Sequence, residues 1–219
     1  MTDVANTREI LIGTEMPVNA VDPKKLFEGG RAEGHQTVAK AVSILALLGY
    51  GTVIDEGAAI VVLLKKRQLG QETSSWATAA FPATVYLDWY DHPEFLAKDL
   101  LHEASHAWLN DALEARQINL PEEALFYSPW KKRDRPAYGM IHSVFAFSRV
   151  TNCLTRLRDH TTDPAVRTYC DIRVHEERLR LAEARSAALA ALSVLPDAQL
   201  TDLVRGEYEE ALTAHGRTG

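Results

Sequence analysis

Cysteine is almost missing from this chain: two occur in 219 residues, Cys153 and Cys170, with no metal-ligand spacing between them. That argues against a disulfide scaffold and points to reduced thiols in a cytoplasm. Long apolar runs are missing as well. The longest stretches, "AVSILALLGYG" and "AAIVVLL", fall well short of a membrane span. The opening "MTDVANTREI" has no basic segment followed by an apolar core, so no signal peptide is expected. Positive charge is scarce too, 24 Lys and Arg against 30 Asp and Glu. The resulting net charge of −6 argues against a broad nucleic-acid surface. One basic cluster exists, Lys131-Lys132-Arg133 with Arg135, and a run that short reads as a solvated loop. Internal repeats and low-complexity tracts are lacking. What is present is ordinary for a packed domain: 46% hydrophobic and 25% charged residues. The expectation is a cytoplasmic protein with neither a membrane nor a nucleic-acid partner; oligomeric state is not readable.

The pattern along the chain predicts an α+β fold, predominantly α-helical, with a small sheet. Residues 1–20 are polar and irregular, expected as a flexible arm or early strand, and 21–219 as a single mostly helical metal-binding domain. Val38, Val42, Leu45 and Leu48 recur at helical spacing within 22–50, and Gly49 and Gly51 stop that helix. "IVVLL" at 60–64 is compatible with strand or buried helix. "ATVYLDW" at 83–89 has strand composition, with Val85, Leu87 and Trp89 on one face. Pro93 suits a helix first turn, and a helix follows to about Ala115. Residues 118–140, "INLPEEALFYSPWKKRDRPAYGM", read as a long loop, and loops of that length in a compact domain are usually functional. Helices are expected over about 141–159, 164–195 and 197–216.

The stretch "LLHEASHAWLND", 100–111, contains His-Glu-x-x-His. Residues four apart on a helix point the same way, so His102 and His106 can reach one metal ion. Leu109 and Leu113 extend that stripe, which turns the imidazoles inward, where a metal gives them partners. Glu103 stands where zinc peptidases place the carboxylate that polarises a metal-bound water. The strand just before it matches the zincin arrangement, whose edge pairs with an extended peptide. The third ligand is open. Leu109 and Ala112 replace the Gly and His or Asp of the metzincin pattern, which removes that class. Glu122 and Glu123 are candidates on a brief helical turn, and His142, at the expected start of a helix, is another. One reading is therefore a Zn(II) peptidase with His102, His106 and Glu123 as ligands, Glu103 as base and 84–89 holding substrate. Another is a non-catalytic binding module with a structural metal.

A longer pattern lies downstream: "YSPWKKRDRPAYGMIHSVFAFSRV", 127–150, has Ser-Pro-Trp, Arg-Pro and Gly-x-x-His in order after the His-Glu-x-x-His. In this the chain resembles the 2-oxoglutarate-dependent HExxH-type peptide β-hydroxylases, also described as HExxH-motif peptide-modification proteins. The match runs from about 84 to 150. The resemblance implies a non-haem Fe(II) oxygenase that uses 2-oxoglutarate and O₂ to hydroxylate a side-chain β-carbon, typically in a peptide. It implies His102, His106 and His142 as iron ligands, three imidazoles with positions left open, in place of the usual two-histidine-one-carboxylate set. Arg135 is the implied partner of the cosubstrate's far carboxylate, since guanidinium binds carboxylate bidentately, with Arg149 as competitor. Glu103 would then orient a ligand histidine or contact substrate. Tyr138 and Trp130 could wall the pocket.

Overall fold

A computed structural model describes residues 9–12, 31–68 and 71–213. Seven helices, a four-stranded mixed sheet and a two-stranded hairpin make up the described residues, so the protein is predominantly helical with a small sheet. No helix among them is long and apolar enough to cross a membrane. Two compact units are present, Met1–Trp108 and Leu109–Gly219.

In the first unit the sheet is ordered β1 (Glu9–Ile12), β2 (Ile60–Lys66), β4 (Thr84–Trp89), β3 (Ser75–Ala77). The first three strands are parallel, and β3 pairs antiparallel with β4. Of the arm expected over 1–20, only 9–12 is described, as β1; the rest lies outside the described residues, as do residues 22–30 of the expected first helix. The open choice at 60–64 resolves to strand, because the β-branched run lies between two neighbours. All six residues of β4 are buried, so both its faces are covered, not only the Val85–Leu87–Trp89 face. This corrects an expectation: β4 is interior, and the edge next to it is β3, three residues that carry no strand signature of their own.

Helix α1 (Arg31–Leu47) buries Val38, Ala41 and Leu45. Gly49 ends it at φ 90°, a left-handed conformation that glycine takes without steric cost. Gly51 does not act as a stop but opens α2 (Gly51–Gly57). At Gly57 a Cβ would lie 2.3 Å from the Ala104 carbonyl oxygen, so only glycine lets α2 approach α3 (Pro93–Ala115) this closely. Asp88 ties the sheet ends together: its buried carboxylate accepts from the Lys65 and Ser74 amides, both 3.0 Å, and from Arg67 Nε at 2.7 Å.

The second unit holds the antiparallel hairpin of β5 (Leu125–Ser128) and β6 (Arg133–Pro136), then α4 (Ala137–His160), α5 (Pro164–Glu183), α6 (Arg185–Ser193) and α7 (Ala198–Thr213). Ser-Pro-Trp turns out to make the hairpin's turn. Pro129 pre-sets the first turn position, Lys132 takes φ 52°, and the Lys131 and Lys132 amides donate to the Ser128 carbonyl. Trp130 anchors it, stacking on Phe147 of α4 with ring centroids 4.8 Å apart and donating through Nε1 to Glu177 of α5 at 2.9 Å. Glu177 is buried, and Arg173 and Arg180 also donate to it, so the carboxylate is well satisfied. Helix α4 is the unit's central element, with most of its residues buried. Asp163 caps α5, accepting from the Ala165 and Val166 amides, with Pro164 in its first turn. Tyr208 of α7 is fully buried and donates to the Leu181 carbonyl. Cys153 and Cys170 are buried free thiols.

Candidate functional site

The helical spacing of His102, Glu103 and His106 is realised on α3, which starts at Pro93 as its sequence predicts. The two imidazoles are half-buried, their Nε2 atoms 3.1 Å apart and their rings edge to face. Two nitrogens at that separation, each bonded to one ion at about 2.1 Å, subtend roughly 95° at the ion, the angle of adjacent ligands in a six-coordinate site. At that distance the two rings are also within hydrogen-bond reach of each other, the donor being set by the tautomer. Among the described residues no group of three or more His, Cys, Asp and Glu side chains lies together closely enough to hold an ion.

Glu103 points elsewhere. It is 3% exposed and hydrogen-bonds to the Ser75 side chain and the Ala77 backbone, so it reaches the edge strand β3. Burial pushes its carboxyl up to about 7; the bond to Ser75 works against that shift, the nearby Asp99 charge with it. No sequence signal marks Ser75 or Ala77 as its partners.

The second unit carries the remaining candidates. His142 does not open its helix. Helix α4 begins at Ala137, with Pro136 as N-cap, so His142 lies in the second turn and is buried. Its ring packs on Tyr138, centroids 4.2 Å apart. The exposed Tyr138 in turn donates its hydroxyl to Asn110 Oδ1. Glu122 and Glu123 occupy no helical turn: both are exposed, in a bend before β5.

Arg135 emerges from β6 and lays its guanidinium against α4. Nη1 donates to Ser143 Oγ at 3.0 Å, and Ser143 donates to the Gly139 carbonyl at 2.9 Å. A Cβ on Gly139 would come within 2.8 Å of Cζ, Nε and Nη2 of that guanidinium. The Gly-x-x-His spacing thus has a local cause, since glycine clears the ground on which Arg135 rests. Among the described residues no carboxylate lies within ion-pair distance of Arg135. Burial lowers its pKa, the neighbouring Arg133 adds to that, and Tyr138 opposes it. Arg149 differs. It is buried, its Nε donates to Glu207 of α7 at 3.1 Å, and its guanidinium lies over the Phe145 ring at 4.1 Å. Its charge is already engaged inside the helical packing. Ser143 and Asn110 escaped the sequence reading; Gly139 was in view as the first residue of Gly-x-x-His, without its contact to Arg135.

No family model matches the chain, and no curated protein matches it.

Proposed function

We propose that the protein is a non-haem Fe(II)/2-oxoglutarate-dependent oxygenase that hydroxylates the β-carbon of an amino-acid side chain, in a peptide. The observation that carries this reading is Arg135: a half-buried guanidinium, held in place by a helix, with no acidic partner among the described residues. A dianionic cosubstrate needs such a cation for its far carboxylate. A peptidase does not. His102 and His106 supply two imidazoles at a separation suited to one ion. His142 is the third ligand on the strength of the resemblance alone.

Bound Fe(II) would supply the reaction of O₂ with 2-oxoglutarate and a C–H bond, giving succinate, CO₂ and C–OH, with one oxygen atom in succinate and the other in the product. In that chemistry the chain's own residues bind and orient. Arg135 holds the far carboxylate, Tyr138 packs the His142 ring, and Glu103 braces β3 instead of moving a proton.

One observation favours the alternative of a Zn(II) peptidase. A carboxyl raised to about 7 beside a histidine pair suits a general base at neutral pH. One experiment separates the two. Fe(II) and then 2-oxoglutarate are added anaerobically to metal-free protein, and the visible spectrum is recorded. A metal-to-ligand charge-transfer band that vanishes when O₂ is admitted, with succinate formed, supports the oxygenase. Absence of the band, with peptide hydrolysis that needs zinc and is lost in Glu103→Gln, would replace it by the peptidase.

A further inference from the structure

The basic run Lys131-Lys132-Arg133, expected as a solvated loop, is the tip of the β5–β6 hairpin. A loop would let three like charges move apart. This turn is held: Trp130 stacks on Phe147 and donates to Glu177, and the Lys131 and Lys132 amides both donate to the Ser128 carbonyl. Lys132 sits at φ 52°, in the left-handed region that hairpin turns usually give to glycine or asparagine. All three side chains are exposed, and none has an ion-pair partner among the described residues. In a chain of net charge −6, the turn thus fixes three cations side by side with nothing on the hairpin to offset their repulsion. Behind the tip, Leu125 and Tyr127 lie two apart on one face of β5, exposed at 58% and 45%. Beyond them Glu122 and Glu123, also exposed, make the other end acidic. The hairpin therefore runs from positive through apolar to negative along its length.

We infer that this hairpin is a docking site for an extended peptide segment in which a cluster of acidic residues lies a few residues from an apolar one. The acidic cluster meets Lys131, Lys132 and Arg133, and the apolar side chain meets Leu125 and Tyr127. Tip and apolar face are about 10 Å apart, so the two parts of the peptide are separated by about three residues of extended chain. The acidic end at Glu122 and Glu123 repels the cluster and fixes which way round the segment lies. Charge complementarity argues for this partner, and the apolar pair argues against a nucleic acid, whose backbone would be met by cations alone. The inference rests on the peptide part of the proposed function and names the class of peptide.

The test titrates the full chain into fluorescent Gly/Ser-based peptides and reads anisotropy. One peptide carries a Glu cluster and, about three residues on, a Leu; in its counterparts the Glu residues are replaced by Gln or by Lys. At low salt the Glu peptide should bind about tenfold more tightly than the Gln peptide, the combined worth of a few exposed ion pairs, and the advantage should shrink as salt is added. The double variant Lys131→Glu/Arg133→Glu should prefer the Lys peptide, a gain that a misfolded chain could not show. Lys132→Gly removes one charge at a position whose backbone suits glycine, so it should weaken the Glu peptide about threefold while melting no lower than wild type. Tyr127→Ser should weaken the Glu peptide that has the Leu and leave unchanged one that lacks it.

Equal binding of the Glu and Gln peptides, or a double variant that keeps the wild-type preference, overturns the inference. Tighter binding of a single-stranded oligonucleotide, or of phosphatidylserine vesicles, than of the Glu peptide overturns it as well and gives the tip another partner. None of these results touches the oxygenase reading, which is decided without a peptide by the charge-transfer band and succinate. If that band is missing while the Glu preference and its reversal are found, the oxygenase reading falls and the docking site stands.

Discussion

The His-Glu-x-x-His segment of α3 and the Arg135–Ser143 segment of β6 and α4 carry the two kinds of candidate chemistry, and they are built differently. On α3 the reactive groups owe their placement to helical periodicity alone. His102 and His106 face one another through Nε2 atoms 3.1 Å apart, and Glu103, the next residue round the helix, is sent to the sheet. In the other segment each group is held by a tertiary contact: Arg135 by Ser143 and Gly139, Tyr138 by Asn110, the hairpin turn by Trp130 on Phe147 and Glu177. A pair of ligands on one helix needs little more than the helix. An arginine held as Arg135 is needs a strand, a turn and a second helix to agree.

If the two segments are separate devices, variants should move one ligand and not the other. The largest effect is expected from His106→Ala. Removing one imidazole of a shared ion should weaken metal binding about a thousandfold, on the order of 4 kcal/mol. Competition with a chromophoric chelator measures this. Arg135→Gln, titrated alongside, should keep the wild-type metal affinity. A variant at Arg135 that lost metal as well would join the two devices into one.

Glu103 gives the next largest effect, in the metal-free protein. Its folded pKa is raised to about 7 from 4.5. Below about pH 4.5 the carboxyl is neutral folded or unfolded and contributes no pH dependence. Between 4.5 and 7 the unfolded chain ionises while the folded one keeps its proton, so stability falls as pH rises. Above about 7 the loss is complete, on the order of 3 kcal/mol. Glu103→Gln retains an oxygen to accept from Ser75 and Ala77 and cannot ionise. Its melting temperature should therefore pull ahead of wild type across that window and stay ahead above it. A constant gap would mean that Glu103 ionises alike in the folded and unfolded chain, and would remove the raised carboxyl on which the peptidase alternative rests.

The smallest effect sharpens the structural side. Trp130→Phe keeps the stack on Phe147 but removes the Nε1 donor to Glu177, costing about 1.5 kcal/mol. Urea unfolding should show that loss with metal affinity unchanged. An equal loss of metal would show that the hairpin anchor also supports α3.

The same difference explains what could be read in the sequence. Helix α3 was legible because its signals are local: Pro93 at the start and an apolar stripe at helical spacing. Strand β4 was legible from its β-branched and aromatic content. The hairpin was not. "KKRDRP" has no alternation of apolar and polar residues, and its pairing depends on an anchor, Glu177, that lies 47 residues further on. The true start of α4 was hidden by Pro136 and Gly139, which read as loop until the one is seen as an N-cap and the other as the floor under Arg135. Strand β3 is too short to show a period, so the edge was assigned to its longer neighbour. The break between α5 and α6 at Ala184 carries no Gly or Pro to announce it.

Gly139 has a consequence for how this chain can drift. Every glycine codon is one base change from an alanine codon, and the methyl so added meets only the end of a side chain. The core would not register the change; the resting place of the Arg135 guanidinium would. A copy with that single difference would keep its histidine pair and lose the ground on which the Arg135 guanidinium rests. Such a change would leave the motif that draws the eye intact and alter only how Arg135 is held, so position 139 reports on that arginine and His-Glu-x-x-His does not.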